Sequence, residues 1–390
     1  MTSGADKRLR VCFVLPSLGA GGAEYSLGQF VMRTSNLVRS EVVYFHHRYE
    51  GIEDDLAADP TIKLTRLRST HWMGRVRELK AILNRSEPDL VVSSVFEADI
   101  LARVARIGRT RPIGVSTIVN SQYGQAALRA DPEIPPWKLQ VVRAVDATTA
   151  RLAGDYFHAI TDATAESAER HLRLRADRIR MVPRGRDRSR LGERTDERRL
   201  QVRSSLGLAQ DRPVLLAVGR REFQKGHLDL IQCLPEIVAC VPDVVLLLAG
   251  RDGSAAPPTD RLIRELGVAD HVQILGHRDD VADLFVFPSL WEGFGGVVAE
   301  AMALSLPVVA TAVPEVVEVI GDGQPSPGVV VPIGDSSALA TAVIKLLGNP
   351  ELRESMGSAG RQRFEENFNL DTVAAMTIEM YRAFAEQGRT

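Results

Sequence analysis

Cysteine is scarce in this chain. Three residues in 390 are too few for a disulfide framework or a cysteine-rich metal site. A reducing compartment fits that count, and a cytoplasmic location is expected. Cys233 and Cys240 lie seven apart in a helical stretch, so they share a face and read as small buried hydrophobes. No run of eighteen apolar residues occurs, so no membrane-spanning helix is expected. Residues 1–10 are polar and lead straight into Val11-Cys12-Phe13-Val14-Leu15, a run too short for the core of a secretion signal. The 31 glycines and 20 prolines are scattered, which argues against a collagen-like or linker-dominated chain. Aromatics are few, at 5%, and do not interleave with cations. With no recognisable nucleic-acid motif either, a nucleic-acid partner is not expected. No Ser-His-Asp or Cys-His constellation is visible, and no Asp-x-Asp triplet. Asp279-Asp280 reads as a solvated turn.

Net charge is also small, at −2, but it is unevenly placed. Residues 1–200 hold 33 Lys and Arg against 25 Asp and Glu, and the remainder hold 15 against 25. A basic half can attract phosphates or anionic lipid, or it can be ordinary solvated arginine.

What is present is a globular composition long enough for two domains, with 45% apolar and 25% charged residues. Short apolar runs alternate with longer amphipathic ones. Strands are expected at Leu9–Leu15, Glu41–Phe45, Ile62–Leu67, Asp89–Ser93, Ile113–Val119 and Tyr156–Ile160. After a break they resume at Val214–Val218, Val244–Ala249, Val272–Leu275, Leu284–Pro288 and Pro307–Thr311. Helical patterns fill the gaps, among them His227–Cys240, Asp260–Leu266, Gly296–Leu304 and Ser337–Leu347, and Leu370 to Glu386 reads as a last helix. Strand–helix alternation with buried strands specifies parallel α/β sheets. Residues 184–200 are charged and aperiodic and read as the interdomain linker. The expected division is 1–187, 188–369 and a terminal helix over 370–390. Two such domains should face a cleft lined by the carboxyl ends of their strands.

Three segments carry chemistry. In Phe287-Pro288-Ser289-Leu290-Trp291-Glu292-Gly293-Phe294-Gly295-Gly296, a buried strand runs into a glycine turn, and a helix bearing Glu300 follows. Amides at a helix N-terminus point at an anion, and glycines permit close approach. Glu292 and Glu300 can accept from sugar hydroxyls, or serve merely as a capping and a solvated residue. In Leu215-Leu216-Ala217-Val218-Gly219-Arg220 and Lys225-Gly226, a strand ends and two cations five apart follow, a pattern that suits a diphosphate. Gly19-Ala20-Gly21-Gly22-Ala23-Glu24 is a strand–helix glycine turn, but it lacks the spacing of a dinucleotide fingerprint.

In this order the three segments resemble the retaining GT-B glycosyltransferases of family 4. The block Glu292 to Glu300-Ala301-Met302-Ala303, followed by Pro307-Val308-Val309-Ala310, is similar to that family's EX7E signature. Gly328-Val329-Val330-Val331-Pro332-Ile333-Gly334-Asp335 looks like a further family stretch. The resemblance covers about the whole chain and is strongest over 213–380. It implies two Rossmann-like domains, with the C-terminal helix crossing back to the first. It also implies a nucleoside-diphosphate-sugar donor, a glycan, lipid-linked or small-molecule acceptor, retention of configuration, and no metal or other cofactor. Arg220 and Lys225 would bind the donor diphosphate, together with the amides of Gly293, Phe294, Gly295 and Gly296. Glu300 would hold the ribose, and Glu292 would lie by the transferred sugar. Gly21 and Gly22 would let their loop approach the donor.

Some positions depart from the family pattern. Asn120 stands where many relatives have a histidine. It can orient an acceptor hydroxyl but cannot act as a general base. Arg184 and Arg186 replace neutral residues at the end of the first domain. Only His277 to Asp283 connect two strands that usually flank a helix, and at most one helical turn is expected there. These departures leave a second reading open, a catalytically impaired subunit that binds a nucleotide sugar or a partner. The basic amphipathic stretch 71–85 packs Trp72, Met73, Val76, Leu79, Ile82 and Leu83 on the first sheet or docks weakly on anionic membrane, and both hold if the apolar face is buried and only its cations meet lipid.

Overall fold

The structure is a computed structural model that describes residues 8–19, 21–48, 51–121, 123, 135–275 and 282–387. The described residues fall into two compact units. Those before 124, 135–186 and those from Leu370 on make one, and Asp187–Asn369 make the other.

In the first unit seven described strands form one parallel sheet: β1 (Leu9–Ser17), β2 (Val38–His46), β3 (Lys63–Arg66), β4 (Leu90–Ser94), β5 (Ile113–Ile118), β6 (Tyr156–Ala159) and β7 (Ile179–Met181). Their order is β3-β2-β1-β4-β5-β6-β7. The connecting helices are α1 (Gly22–Arg33), α2 (Glu53–Ala57), α3 (Trp72–Ser86), α4 (Phe96–Arg106), α5 (Pro136–Ala153) and α6 (Asp162–Leu172). Leu90–Ser94 is buried at every position, as a strand covered on both faces must be. Val11, Phe13 and Leu15 point into one core layer, while Cys12 and Val14 enter the opposite one with α3 and α4.

The second unit has six described strands: β8 (Val214–Val218), β9 (Val245–Ala249), β10 (Val272–Leu275), β11 (Leu284–Phe287), β12 (Val308–Thr311) and β13 (Gly328–Val331). They are ordered β10-β9-β8-β11-β12-β13, all parallel. Its helices are α7 (Arg188–Leu191), α8 (Asp196–Ser205), α9 (His227–Cys240), α10 (Ala256–Glu265), α11 (Gly296–Ala303), α12 (Pro314–Ile320), α13 (Ser336–Leu347) and α14 (Pro350–Asn367). Both sheets therefore share the doubly wound order, with a seventh strand added to the first. The order in which strands are added reverses between β1 and β4 in one and between β8 and β11 in the other, and such switch points are where open α/β sheets hold ligands.

The last helix, α15 (Leu370–Gln387), belongs to the first unit. Val373, Ile378, Tyr381 and Phe384 are buried at helical spacing. Phe384 stacks on Tyr156 at 4.7 Å, and Tyr381 meets Phe30 edge-on. Each such side chain contributes about 1.5–3 kcal/mol by burial. The helix start is fixed by the Leu370 amide, which donates to the carbonyl of Arg186, and by the Arg33–Asp371 ion pair.

Three expectations need correction. The stretch read as an aperiodic linker contains two helices, α7 and α8. Thr195 caps α8 by accepting from the Arg198 amide, and Arg203 is fully buried on the carbonyls of Ala209 and Arg212. Cys233 is buried, but Cys240, at the last position of α9, is exposed. Helix α3 packs Val76, Leu79, Ile82 and Leu83 on the sheet and leaves Trp72 and Met73 outside, so its apolar face is not free for lipid. The expected single turn at 277–283 and the Asp279-Asp280 turn lie outside the described residues, apart from Ala282 and Asp283.

Candidate active site

The two best-marked side chains of the second unit flank its switch point. Strand β8 ends at Val218, and Lys225 follows on a short 3-10 turn, Phe223–Lys225. Strand β11 ends at Phe287, and Glu292 follows. Neighbouring parallel strands bring these two loops together although 67 residues separate them. Lys225 Nζ lies 2.6 Å from Glu292 Oε1 and 5.5 Å above the Phe287 ring.

The loops are tied by backbone and side chain. The Leu290 amide donates to the Gln224 carbonyl at 2.8 Å, and Gln224 Nε2 donates to the Trp291 carbonyl at 2.9 Å. Gly226 has φ +62°, and a Cβ there would stand 1.8 Å from the Pro288 carbonyl, so the close approach of the two loops requires glycine. Glu292 is buried and accepts from Ser289 Oγ at 2.8 Å, while Thr311 at the end of β12 hydrogen-bonds the Ser289 carbonyl. A buried carboxylate with a cation and a hydroxyl is fixed in place, because leaving either group unpaired costs more than the pair gains.

Beyond Glu292 the chain turns through Gly293 and the buried Phe294, which meets Phe368 edge-on at 5.6 Å. Gly295, at φ +75°, caps α11. The first amides of α11 thus begin directly after the Glu292 loop, with the partial positive charge of a helix N-terminus. Glu300 is half-buried on the same helix.

Arg220 does not join this cluster. Its side chain is 69% exposed and lies 3.6 Å from Glu222, whose other oxygen accepts from the Ser254 amide and hydroxyl. The adjacent Arg221 is the buried one, paired with Asp252 at 2.5 Å and with Asp260, and it ties the loop after β8 to the loop after β9. The sequence reading missed Arg221, Ser289 and Gln224. It also missed His227, the first residue of α9, which is buried with an unpartnered Nδ1. Burial, with Lys225 and Arg221 nearby, lowers the His227 pKa to about 4. Its position directly after Lys225-Gly226 was the available signal.

On the first unit, Gly21 precedes α1 and Gly22 opens it. An added Cβ at Gly22 meets nothing within 4 Å among the described residues. Arg184 Nη1 donates to the Gly22 carbonyl at 2.9 Å, and Arg186 Nη1 donates to Ser26 Oγ at 2.7 Å. Arg186 is buried, so it braces α1 rather than meeting solvent. Asn120 follows β5, one strand away from the β1–β4 switch, and its Oδ1 is buried without a partner. Ser94, the last residue of the neighbouring β4, likewise has a buried, unpartnered hydroxyl.

His158, on β6, is the second buried histidine. Its Nε2 donates to the Val182 carbonyl at 2.8 Å, and burial lowers its pKa to about 4. Both histidines are neutral in the folded chain and take a proton near pH 6.5 when unfolded. The unfolded state therefore binds more protons between pH 6.5 and 4, and stability falls as pH drops through that window, by on the order of 1.4 kcal/mol per pH unit per histidine. Chemical denaturation at pH 7 and at pH 5 should show this loss. It should shrink in the double variant His158→Gln, His227→Gln. An equal loss in that variant would assign the acid sensitivity to other groups.

Two family models match the chain: the glycosyl transferase 4-like domain over residues 9–185 and the glycosyl transferases group 1 over residues 199–363. Together they span most of the sequence, and the chain belongs to the group 1 glycosyltransferases, with the GT-B arrangement of two Rossmann-like sheets. It is similar to the alpha-D-kanosaminyltransferase of Streptomyces kanamyceticus, 32% identical over 256 residues, which are 58% of this chain and 65% of that protein. It is also similar to the phosphatidyl-myo-inositol mannosyltransferase of Mycobacterium leprae, 35% identical over 185 residues, 45% of this chain and 47% of that one. The matched parts thus span about half to two thirds of these relatives' lengths. Among solved structures, Anabaena HepE in complex with UDP superposes with a TM-score of 0.80 at 21% identity, covering 96% of this chain and 100% of that one. That likeness concerns the fold.

Proposed function

We propose that the protein is a metal-independent, retaining hexosyltransferase that moves a sugar from a nucleoside-diphosphate donor to a glycan, lipid-linked or small-molecule acceptor. The observation that carries this reading is the Lys225–Glu292 pair at the strand ends of the second unit's switch point, directly before the N-terminus of α11. Departure of a nucleoside diphosphate builds negative charge on the leaving group. A fixed ammonium and oriented amides stabilise that charge in the transition state. Lys225 takes the diphosphate, with the amides of Gly293, Phe294, Gly295 and Gly296. Arg220, which stands free of the buried cluster, closes on the phosphates by releasing Glu222. Glu300 accepts from the ribose hydroxyls, and Glu292 lies by the transferred sugar. On the first unit Gly21 and Gly22 present the N-terminal amides of α1 to an anionic group, and Asn120 orients the acceptor.

The test is release of nucleoside diphosphate from a panel of sugar donors in excess chelator, with the anomeric configuration of the product read by NMR. Turnover unchanged by chelator, with retention, supports the proposal. Turnover abolished by chelator and restored by a divalent ion would overturn its metal-independent form. Nucleotide binding without turnover on any donor would favour the alternative, a binding subunit that has kept the fold.

A further inference from the structure

Arg184 is a cation without a counter-charge. It follows β7, the edge strand, and yet it reaches Gly22, which follows β1 four places along the sheet. The chain after β7 therefore runs back to the glycine turn of the first unit. Arg184 Nη1 donates to the Gly22 carbonyl at 2.9 Å, and that oxygen already accepts from Ser26 Oγ at 2.6 Å. Among the described residues Arg184 makes no other hydrogen bond, and no carboxylate lies in ion-pair range of it. Glu24 acts on it from further off. That carboxylate accepts from Ser17 Oγ at 3.3 Å and fills the place that a side chain on Gly21 would take. The other charged neighbour is a second cation, Arg186, which is buried and braced on Ser26 Oγ at 2.7 Å.

This arrangement is costly as it stands. Arg184 is half-buried, and burial, then Arg186, lower its pKa to about 9, so it is still charged at neutral pH. A guanidinium drawn out of water beside another cation costs free energy until an anion meets it. The fold keeps room for one. Gly22 is exposed, and the space where its side chain would stand is open. Most of the guanidinium's five donors are unused, and their planar fork matches the oxygens of a phosphate or a carboxylate. Two neighbouring cations suit the doubly charged phosphate monoester better than a carboxylate.

We infer that Arg184 is a specificity-determining residue of the first unit that holds a phosphate carried by the acceptor, so that the compound glycosylated is a phosphate monoester. The inference rests on the proposed transfer reaction, in which the donor diphosphate is met on the second unit by Lys225 and α11.

Calorimetric titration of the whole protein with inorganic phosphate tests it, run alone and again with UDP or GDP at saturation. Wild type should bind phosphate equally in all three conditions. Methyl phosphate should displace the phosphate, and methanol should not. Arg184→Gln should bind phosphate at least about tenfold more weakly, the loss of a charge-assisted contact, while its binding of UDP and GDP stays within about twofold of wild type. In phosphate-free buffer this variant should melt no lower than wild type, because it removes a cation that nothing meets, and phosphate should raise the melting temperature of wild type alone. If the glutamine variant does melt lower, Arg184→Lys keeps the charge without the fork, and it should fold and bind phosphate about threefold more weakly. Wild type without phosphate binding would overturn the inference. Variants that bind phosphate as wild type does, or phosphate that methyl phosphate cannot displace, would mark an adventitious ion only and overturn it too. Phosphate displaced by UDP or GDP, or a variant that loses nucleotide and phosphate together, would assign Arg184 to the donor and equally overturn it. Failure of both nucleotides to bind would instead sink the transfer reaction, and the phosphate titration would still read Arg184.

Discussion

Lys225→Ala is expected to lower kcat by about 10²–10³-fold, the usual effect of removing one fixed charge-stabilising donor from a transition state. The ammonium is held by Glu292 at 2.6 Å and lies over the ring of Phe287, so in the resting protein it is fixed in position, and under the proposed function that position is where leaving-group charge develops. Such preorganisation acts on the transition state more than on ground-state binding, so KM for the donor should change far less than kcat. The same substitution strips Glu292, a buried carboxylate, of its counter-charge. Lys225→Arg separates the two effects: it keeps the charge and restores stability, but does not recover full activity, because a planar guanidinium cannot occupy the site of a compact ammonium. Steady-state kinetics with a saturating acceptor, beside a melting curve, read both. Unchanged kcat in Lys225→Ala would remove Lys225 from the site.

Asp155→Ala should destabilise the first unit by about 3–5 kcal/mol, the cost of leaving a buried charge without its partner. Against a total of roughly 5–15 kcal/mol for a typical domain, that is a large share. Asp155 is buried between α5 and β6. One oxygen accepts from Arg106 Nη1 at 2.7 Å and Nη2 at 2.6 Å, and the other lies 3.5 Å from Arg103 Nε. Both guanidinium groups are buried; Arg103 keeps Asp146 at 2.5 Å, so removal of the Asp155 carboxylate leaves Arg106 as the buried cation without its counter-charge. Denaturant unfolding measures the loss. A change below about 1 kcal/mol, the scale of an exposed pair, would mean that water reaches the arginines.

The fold was legible where strands are covered on both faces. Val214–Val218, buried at every position, has the limits read from its apolar run, because a strand buried in a parallel sheet needs no polar alternation. The edge strands β7 and β13 escaped, whereas the edge strands β3 and β10, equally short and no more buried, were read, so exposure at an edge does not by itself hide a strand. Helix α8 escaped for its own reason. Its Leu200 is exposed, and its only buried side chain is an arginine, so no apolar stripe marks it, although Thr195-Asp196-Glu197 is a legible cap. At the site, resemblance supplied Lys225 and Glu292 but not their contact, which depends on β8 and β11 being neighbours. Of two adjacent arginines, composition could not tell that Arg221 is spent on Asp252 and Asp260 while Arg220 stays in solvent.

A crystal structure of the protein with a bound nucleoside diphosphate tests the central claim most directly. The account predicts a β-phosphate oxygen about 2.7–3.1 Å from Lys225 Nζ, a second phosphate oxygen facing the amides of Gly293 to Gly296, and the ribose hydroxyls on Glu300. A nucleotide held elsewhere, with Lys225 still closed on Glu292 and no phosphate near α11, would contradict it.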